Sequence, residues 1–206
     1  MQSNGEKERP FHIGIFLYDQ VEELDFCGPY ETFKSAAYAR RQREHTPEWR
    51  VFTVAEESGL LSTSGDLHIQ PHYTFENHPP IDLLLVPGGA ANRQLERPAV
   101  LEWLRRVTPK TQLNTSVCTG AFLLGAVGLL DGRSATTHIS SLDNLAQRFP
   151  TVTVRRDVRW VDEGPIVTAA GVSAGIDMSL HLLERLDSRE LAEDIAAYME
   201  YRWNEQ

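Results

Sequence analysis

Short apolar runs recur along the chain and alternate with longer stretches of helical periodicity. Runs of this length that are apolar throughout are typical of strands buried on both faces of a parallel sheet. Parallel strands need crossover helices between them, so the alternation predicts an α/β fold: a doubly wound, mainly parallel sheet with helices on both faces. The predicted strands are Phe11–Tyr18, Trp49–Ala55, Leu67–Tyr73 (a strand or hairpin arm), Asp82–Gly89, the run that leads into Cys118, Ser134–His138, Val152–Val154, Val158–Val161 and Ile166–Ala170.

The length of 206 residues suits one ordinary α/β domain. We therefore predict a single domain over residues 1–206, in which residues 1–10 form a flexible N-terminal segment. A loop after the first strand carries Glu22, Glu23 and Asp25, and the first helix is expected to begin beyond it. The helices are predicted from Gly28–Pro29 through Tyr38, over Ala99–Thr108, after Cys118, up to Phe149–Pro150, through Leu186, and over Arg189–Trp203.

The charge and the cysteine content exclude several classes of protein. A net charge of -9 and a pI near 5.3 argue against nucleic-acid binding, which requires clustered cations to neutralise phosphates. Two cysteines cannot build a secreted disulfide framework, and Met1 to Pro10 contains no apolar signal segment. No apolar run reaches the ~20 residues of a membrane span. The sequence therefore predicts a cytoplasmic protein without nucleic-acid or membrane partners.

The stretch Leu113–Gly125 places Cys118 between an apolar run and a helix rich in small residues. A sharp strand-to-helix turn is expected there, and it would expose the thiol at the carboxyl end of the sheet. The N–H groups of Thr119 and Gly120 would then favour a negative charge and lower the pKa of the thiol. We interpret Cys118 as the candidate nucleophile; the alternative is a buried structural cysteine.

Three segments fall at the carboxyl ends of predicted strands, and in a doubly wound sheet these ends converge on one crevice. They carry Asp25, the pair Gly88 and Gly89, and Cys118 with Thr119. A carboxyl group near the thiol would exchange a proton with it, and Asp25 is narrowly preferred over Glu22 and Glu23. The N–H groups after Gly88 and at Thr119 would form an oxyanion hole, unless Gly88-Gly89 is only a tight turn.

The remaining histidines and the second cysteine carry weaker signals. His138 follows a predicted strand and would assist Cys118 as a base, although such a histidine is more often a cap or solvated. His68 and His72 are expected on one strand face without acidic or cysteine partners at ligand spacing, so no metal site is predicted. Cys27 is interpreted as a small packing residue, with a redox partnership to Cys118 as the alternative.

Taken together, the motifs resemble the DJ/PfpI superfamily, which has a class I glutamine amidotransferase-like, flavodoxin-like fold. The resemblance spans nearly the whole chain, and its nearest branch is the isonitrile hydratase-like group with the related sensor domains of AraC-type regulators. It implies that Cys118 is the nucleophile, that Asp25 is its carboxyl partner and that the protein is a homodimer. The motifs are Phe16–Asp19, Leu24–Glu31, Leu85-Val-Pro-Gly-Gly89, Ser116-Val-Cys-Thr-Gly120, Gly128–Gly132, Ala135-Thr-Thr-His138 and Ala170–Asp177.

Two departures from the superfamily refine the expected function. Thr119 follows the cysteine where the intracellular-protease branch has histidine, which argues against peptidase activity. No residues after Trp203 would supply the helix-turn-helix of an AraC-type regulator, which argues against direct DNA binding. The resemblance implies a cofactor-free hydratase that converts isonitriles to N-substituted formamides. The alternatives are a glyoxalase- or deglycase-like enzyme acting on α-oxoaldehydes and a non-enzymatic ligand or redox sensor.

Overall fold

A sheet of seven strands runs through the protein, whose computed structural model describes residues 9–204. In spatial order the sheet is β10-β11-β7-β6-β1-β2-β5, and only β10 is antiparallel to its neighbour. The predicted α/β fold with a doubly wound, mainly parallel sheet is thereby confirmed. The strands are β1 Phe11–Phe16, β2 Trp49–Ala55, β3 Leu61–Ser62, β4 His68–Ile69, β5 Tyr73–Thr74, β6 Leu83–Val86, β7 Leu113–Val117, β8 Ser134–Ala135, β9 Thr153–Val154, β10 Trp160–Asp162 and β11 Ile166–Ala169.

The helices follow the strands in the expected alternation. Helices α1, α6 and α7 pack against one another, and Trp103 of α3 stacks on Phe75 with ring centroids 4.3 Å apart. Every residue of β6 and β7 is buried, as expected for strands covered on both faces. The helices are α1 Glu23–Gln42, α2 Ala91–Gln94, α3 Pro98–Val107, α4 Gly120–Ala126, α5 Leu142–Arg148, α6 Ala174–Leu186 and α7 Arg189–Tyr198, with 3-10 turns at Thr108–Lys110 and Ile139–Ser141.

The first helix begins earlier than the sequence predicts. Helix α1 starts at Glu23, so Asp25 lies in its first turn rather than in a loop, and Pro29 lies inside the helix. Proline lacks the N–H that would bond to the carbonyl of Asp25, so this backbone hydrogen bond of the helix is missing. Helix α6 packs closely against α1 at this point. A Cβ added to Gly175 of α6 would lie only 3.2 Å from Cγ of the Pro29 ring.

Two other predicted elements are wrong in extent. Leu67–Tyr73 is not one strand: β4 pairs with β3 in a hairpin over residues 61–69, and β5 joins the main sheet beside β2. The last helix ends at Tyr198 instead of continuing to Trp203. Of the predicted N-terminal segment, residues 1–8 lie outside the described residues, and Arg9 forms an ion pair with Asp82.

The order of the strands fixes where a site can form. The chain leaves β1 toward β2 on one side of the sheet and continues from β6 toward β7 and β11 on the other side. The crevice at such a reversal, beyond the carboxyl ends of the strands, is the place where open α/β sheets bind ligands. The segments after β1, β6 and β7 all reach this crevice.

Candidate active site

Cys118 occupies a tight turn between β7 and α4, as predicted. Its backbone is in the left-handed region, with φ at 57°, which a residue with a side chain adopts only when its surroundings hold it there. The Cys118 N–H donates to Ala170 O at 2.9 Å, and the Thr137 hydroxyl donates to Cys118 O at 2.6 Å. These bonds fix the turn, and the cysteine is only 7% exposed.

Asp25 reaches the same point from the first turn of α1 and is completely buried. Its Oδ2 accepts a hydrogen bond from the Gly88 N–H at 2.8 Å, while its Oδ1 is buried without a partner of normal geometry. A Cβ on Gly88 would lie 2.7 Å from Asp25 Oδ2 and 2.8 Å from Cys118 Cβ. Gly88 therefore lets the carboxyl and the cysteine approach each other, and no other residue type fits between them.

The protonation of the two groups is coupled. Burial, supported by the charge of Glu22, raises the pKa of Asp25 to about 7, although the Gly88 N–H, the Cys118 thiol and the Val172 N–H oppose the shift. Burial and the Asp25 carboxylate raise the pKa of Cys118 to about 12. The pair therefore retains one proton above neutral pH, held mainly on sulfur.

The expected lowering of the thiol pKa is wrong. The Thr119 N–H and hydroxyl do favour the thiolate, but burial and the neighbouring carboxylate outweigh them. Helix α4 has only seven residues, so its dipole is small. The thiol accordingly needs Asp25 as a base before it can act as a nucleophile.

Of the two N–H groups that the sequence suggested for an oxyanion hole, that of Thr119 favours the Cys118 thiolate, whereas that of Gly89 is occupied within the protein. The Gly88 N–H donates to Asp25, and the Gly89 N–H donates to Thr119 Oγ1 at 3.2 Å. Gly89 has φ at 110°, and a Cβ there would lie 2.3 Å from Gln20 O, so a tight turn does require glycine. Gly88, Gly89 and Thr119 thus hold the Cys118–Asp25 pair in place.

Sequence reasoning missed Tyr18 and Val172. The buried Tyr18 hydroxyl lies 2.8 Å from both Pro87 O and Gly88 O, and burial, Asp25 and Cys118 raise the pKa of this phenol. Val172 has φ at 51°, which is strained for a β-branched residue, and its N–H faces Asp25. Both follow strands at their carboxyl ends, the signal that identified the other site residues.

We expect Tyr18→Phe to lower the free energy of unfolding by about 1–3 kcal/mol, because a buried carbonyl loses its donor. The aromatic ring packs 5.2 Å from Phe16, centroid to centroid, and phenylalanine preserves that contact. Urea unfolding monitored by circular dichroism measures the change, and Tyr30→Phe is a control outside this network. Equal stability of the Tyr18 variant and the wild type would show that the hydroxyl does not support the Pro87–Gly88 segment.

Of the three acidic candidates, only Asp25 meets the cysteine. Glu23 instead accepts hydrogen bonds from the hydroxyls of Thr63 and Ser64 and from the Gly65 N–H. Glu22 Oε2 also lies 2.9 Å from the Ser64 hydroxyl, whose one proton the two carboxylates share. The two glutamates therefore fasten the β3–β4 hairpin to the start of α1, which carries Asp25.

Glu23 should contribute a pH-dependent part of the stability. Its hydrogen bonds, that of Thr63 foremost, lower the pKa to about 2 from the usual 4.5. A lowered carboxyl pKa stabilises the fold above pH 4.5, and this contribution is lost as the pH falls toward 2. We expect Glu23→Gln to be less stable than the wild type at pH 7 and the difference to shrink below pH 4.5. Thermal unfolding over this pH range measures the stability difference between Glu23→Gln and the wild type. Glu31→Gln, farther along α1, is the matched control for the loss of one carboxyl group.

In the described part of the chain, the other predicted groups make no hydrogen bond to Cys118 or Asp25. His138 caps the 3-10 turn Ile139–Ser141, and its Nδ1 lies 2.8 Å from Ser140 Oγ. Cys27 is exposed, so its interpretation as a packing residue is wrong, and both cysteines are free. His68 lies in the hairpin and His72 Nδ1 bonds to Thr53, so they do not share a strand face. Within residues 9–204 no three His, Cys, Asp or Glu side chains gather as metal ligands.

The mainly parallel sheet, with a buried cysteine and carboxyl at its switch point, places the chain among α/β proteins of the flavodoxin-like fold. The model of the DJ-1/PfpI family matches residues 12–185. The chain belongs to the DJ-1/PfpI family. None of the helices within residues 9–204 is long and apolar enough to cross a bilayer.

Individual relatives include an enzyme and a regulator. The chain is 35% identical to isonitrile hydratase of Pseudomonas putida, over 92% of this chain and 78% of that enzyme. It is 29% identical to the HTH-type transcriptional regulator CdhR of Pseudomonas aeruginosa, over 75% of this chain but 46% of the regulator. The chain thus matches about half of the regulator's length.

Solved structures share the same fold. A THiJ/PfpI family protein from Pseudomonas syringae has a TM-score of 0.83 and 27% identity, covering 100% of this chain and 83% of that one. Drosophila melanogaster DJ-1beta has a TM-score of 0.79 over 94% of this chain and 100% of its own, with 19% identity. The second likeness concerns the fold alone.

Proposed function

We propose that the protein is a cysteine-dependent lyase that hydrates isonitriles to N-substituted formamides, with Cys118 as nucleophile and Asp25 as proton carrier. The burial of Cys118 and Asp25 side by side, with Gly88 against both side chains, is the observation that carries the proposal. The similarity to isonitrile hydratase supports the reaction class. An isonitrile carbon accepts both a nucleophile and a proton, and this pair supplies both from adjacent atoms.

The first step forms a covalent intermediate. Asp25 takes the proton from Cys118 Sγ, the sulfur lone pair forms a bond to the isonitrile carbon, and Asp25 returns the proton to that carbon. The product is a thioimidate in which the former isonitrile carbon joins nitrogen, hydrogen and sulfur. No atom is lost, and Asp25 ends the step as a carboxylate.

The second step consumes one water. Water adds to the thioimidate carbon, and Asp25 passes one of its protons to the nitrogen. The carbon–sulfur bond of this tetrahedral intermediate then breaks, and Asp25 carries the remaining hydroxyl proton to the departing sulfur. The N-substituted formamide is released and the Cys118 thiol is restored. Nothing is oxidised or reduced, so the proposed reaction needs no cofactor.

Neighbouring groups position the pair throughout this cycle. The Gly88 N–H holds Asp25 Oδ2, which leaves the unpartnered Oδ1 to exchange the proton. Thr119 stabilises the thiolate, because its N–H and hydroxyl both favour that form. His138 is not assigned a step, since within residues 9–204 neither of its ring nitrogens hydrogen-bonds to Cys118 or Asp25.

A sensor role is the second candidate, and the similarity to CdhR is the observation that favours it. A sensor needs a ligand cavity beside the site but no turnover.

We further propose that the chain forms a single domain and a homodimer, which the exposed aromatic residues Tyr38 and Tyr198 would help to join. The cytoplasmic location inferred from two unpaired cysteines belongs to the same proposal.

Turnover of cyclohexyl isocyanide and of methylglyoxal by the purified protein separates the candidates. Formamide production with no lactate from methylglyoxal supports the hydratase. Lactate formation alone would assign the glyoxalase-like alternative. Turnover of neither, together with binding of small ligands, would favour the sensor and overturn the proposed reaction.

A further inference from the structure

A cavity of about 340 Å³ lies next to the residues that hold the Cys118 turn. Three segments line it: the stretch from Thr136 to the 3-10 turn, the loop before β10, and the turn between β11 and α6. Two lining residues, Thr137 and Ala170, hydrogen-bond directly to the Cys118 backbone. A third, Val172, points its N–H at Asp25. The cavity therefore adjoins the turn that holds Cys118 and the segment whose N–H faces Asp25, and its volume is in the range of small-molecule sites.

The walls of the cavity are mainly apolar. Ile139, Leu142, Val158 and Val172 line it together with Ala170. Leu142 is buried, whereas Ile139 is 76% exposed, so the apolar lining extends from the interior to the mouth. An apolar group that enters would be removed from water against these side chains, which is favourable in proportion to the area buried.

The charged groups of the lining give no net attraction for an anion. Arg159 donates through Nε and Nη2 to Asp177, which is completely buried, and also to Ser173. Its positive charge is thus compensated inside the protein. Asp157, which also lines the cavity, is exposed and would repel an anion. His138 lines the cavity as well, and its Nδ1 lies 2.8 Å from Ser140 Oγ.

We infer that this cavity holds the substituent on the isonitrile nitrogen and selects neutral branched or cyclic aliphatic groups over small or anionic ones. The inference rests on the proposed hydratase reaction, and it assigns substrate selection to Val158 and Ile139. We expect a group of the size of cyclohexyl to contact both Val158 and Ile139, whereas a methyl group is too small to contact both.

The test compares cyclohexyl isocyanide, methyl isocyanide and 4-isocyanobutanoate in the wild type and in Val158→Phe. Filling the cavity should raise KM for cyclohexyl isocyanide about tenfold and leave methyl isocyanide within about twofold. Val161→Phe is the matched control, because Val161 lies on β10, is likewise half-buried and does not line the cavity. Ile139→Trp narrows the mouth from an exposed position and should give the same pattern if Val158→Phe does not fold.

Binding of the product N-cyclohexylformamide, measured by calorimetry, separates the cavity from the reaction. If the wild type turns over no isonitrile but binds this formamide, and Val158→Phe weakens binding about tenfold, the cavity stands and the hydratase reaction fails. Three results would overturn the cavity assignment. Val158→Phe could affect methyl and cyclohexyl isocyanide equally, or the wild type could prefer 4-isocyanobutanoate. The third is formamide binding that neither Val158→Phe nor Ile139→Trp alters.

Discussion

Cys118→Ala should lower kcat/KM for cyclohexyl isocyanide by at least about 10³-fold, because the methyl side chain of alanine cannot form the covalent intermediate. The fold should survive, since alanine retains the Cβ and the bonds from Cys118 N–H and to Cys118 O are made by the backbone. Formamide production, followed by chromatography, measures the loss. A variant with wild-type turnover would exclude the nucleophilic role.

The second cysteine provides the matched control for this experiment. Cys27 lies on the exposed side of α1, so Cys27→Ala should keep full turnover. If both alanine variants lost activity equally, the effect would have to come from general loss of structure or from a disulfide between the two cysteines, and the proposed mechanism would fail.

Asp25→Asn should lower kcat by about 10²- to 10⁴-fold, because an amide cannot carry the thiol proton to carbon. Asparagine can still accept the hydrogen bond from the Gly88 N–H, so the turn around Cys118 should remain intact. The wild-type rate should fall as the pH drops below about 7, where Asp25 becomes protonated and no longer accepts the thiol proton. The residual rate of the variant should lack this dependence.

The same substitution should stabilise the protein at alkaline pH. Because burial raises the pKa of Asp25 from 3.8 to about 7, the folded state loses stability as the pH rises between these values, and this loss persists at higher pH. The amide in Asp25→Asn carries no such charge, so the Tm of the variant at pH 8 should exceed that of the wild type. Glu22→Gln is the control, since Glu22 only adds to the charge around Asp25 and should keep most turnover. An unchanged pH profile in the Asp25 variant would contradict the assignment.

The sequence predicts the layout of the site because the ends of parallel strands alone bring these segments together. Each of the runs before Tyr18, Gly88 and Cys118 is apolar and short, and parallel strands necessarily bring their carboxyl ends to one edge. The order of these strands was not needed to expect Asp25, Gly88 and Cys118 in one crevice. Their pairing with individual partners, such as Gly88 with Asp25, depends on distances that a sequence does not contain.

The errors have physical causes in long-range packing. Gly28-Pro29 resembles a helix start, but packing against α6 continues the helix through it, and Cys27 consequently faces outward. The local turn predicts a lowered pKa for Cys118. Burial, and the charge of Asp25 from a distant part of the chain, raise this pKa instead. Local rules cannot report desolvation by residues from other segments.

The way in which the site is divided along the chain also has a kinetic consequence. Gly88 and the Asp25 that it holds are 63 residues apart, and Thr119 is 30 residues beyond Gly89. Pairings over such separations form late, since the entropy of closing long loops opposes them, whereas α1 and its neighbours can gain helical structure early. The Cys118–Asp25 pair is therefore assembled only when these distant segments come together, and until then the thiol lacks the base that would activate it.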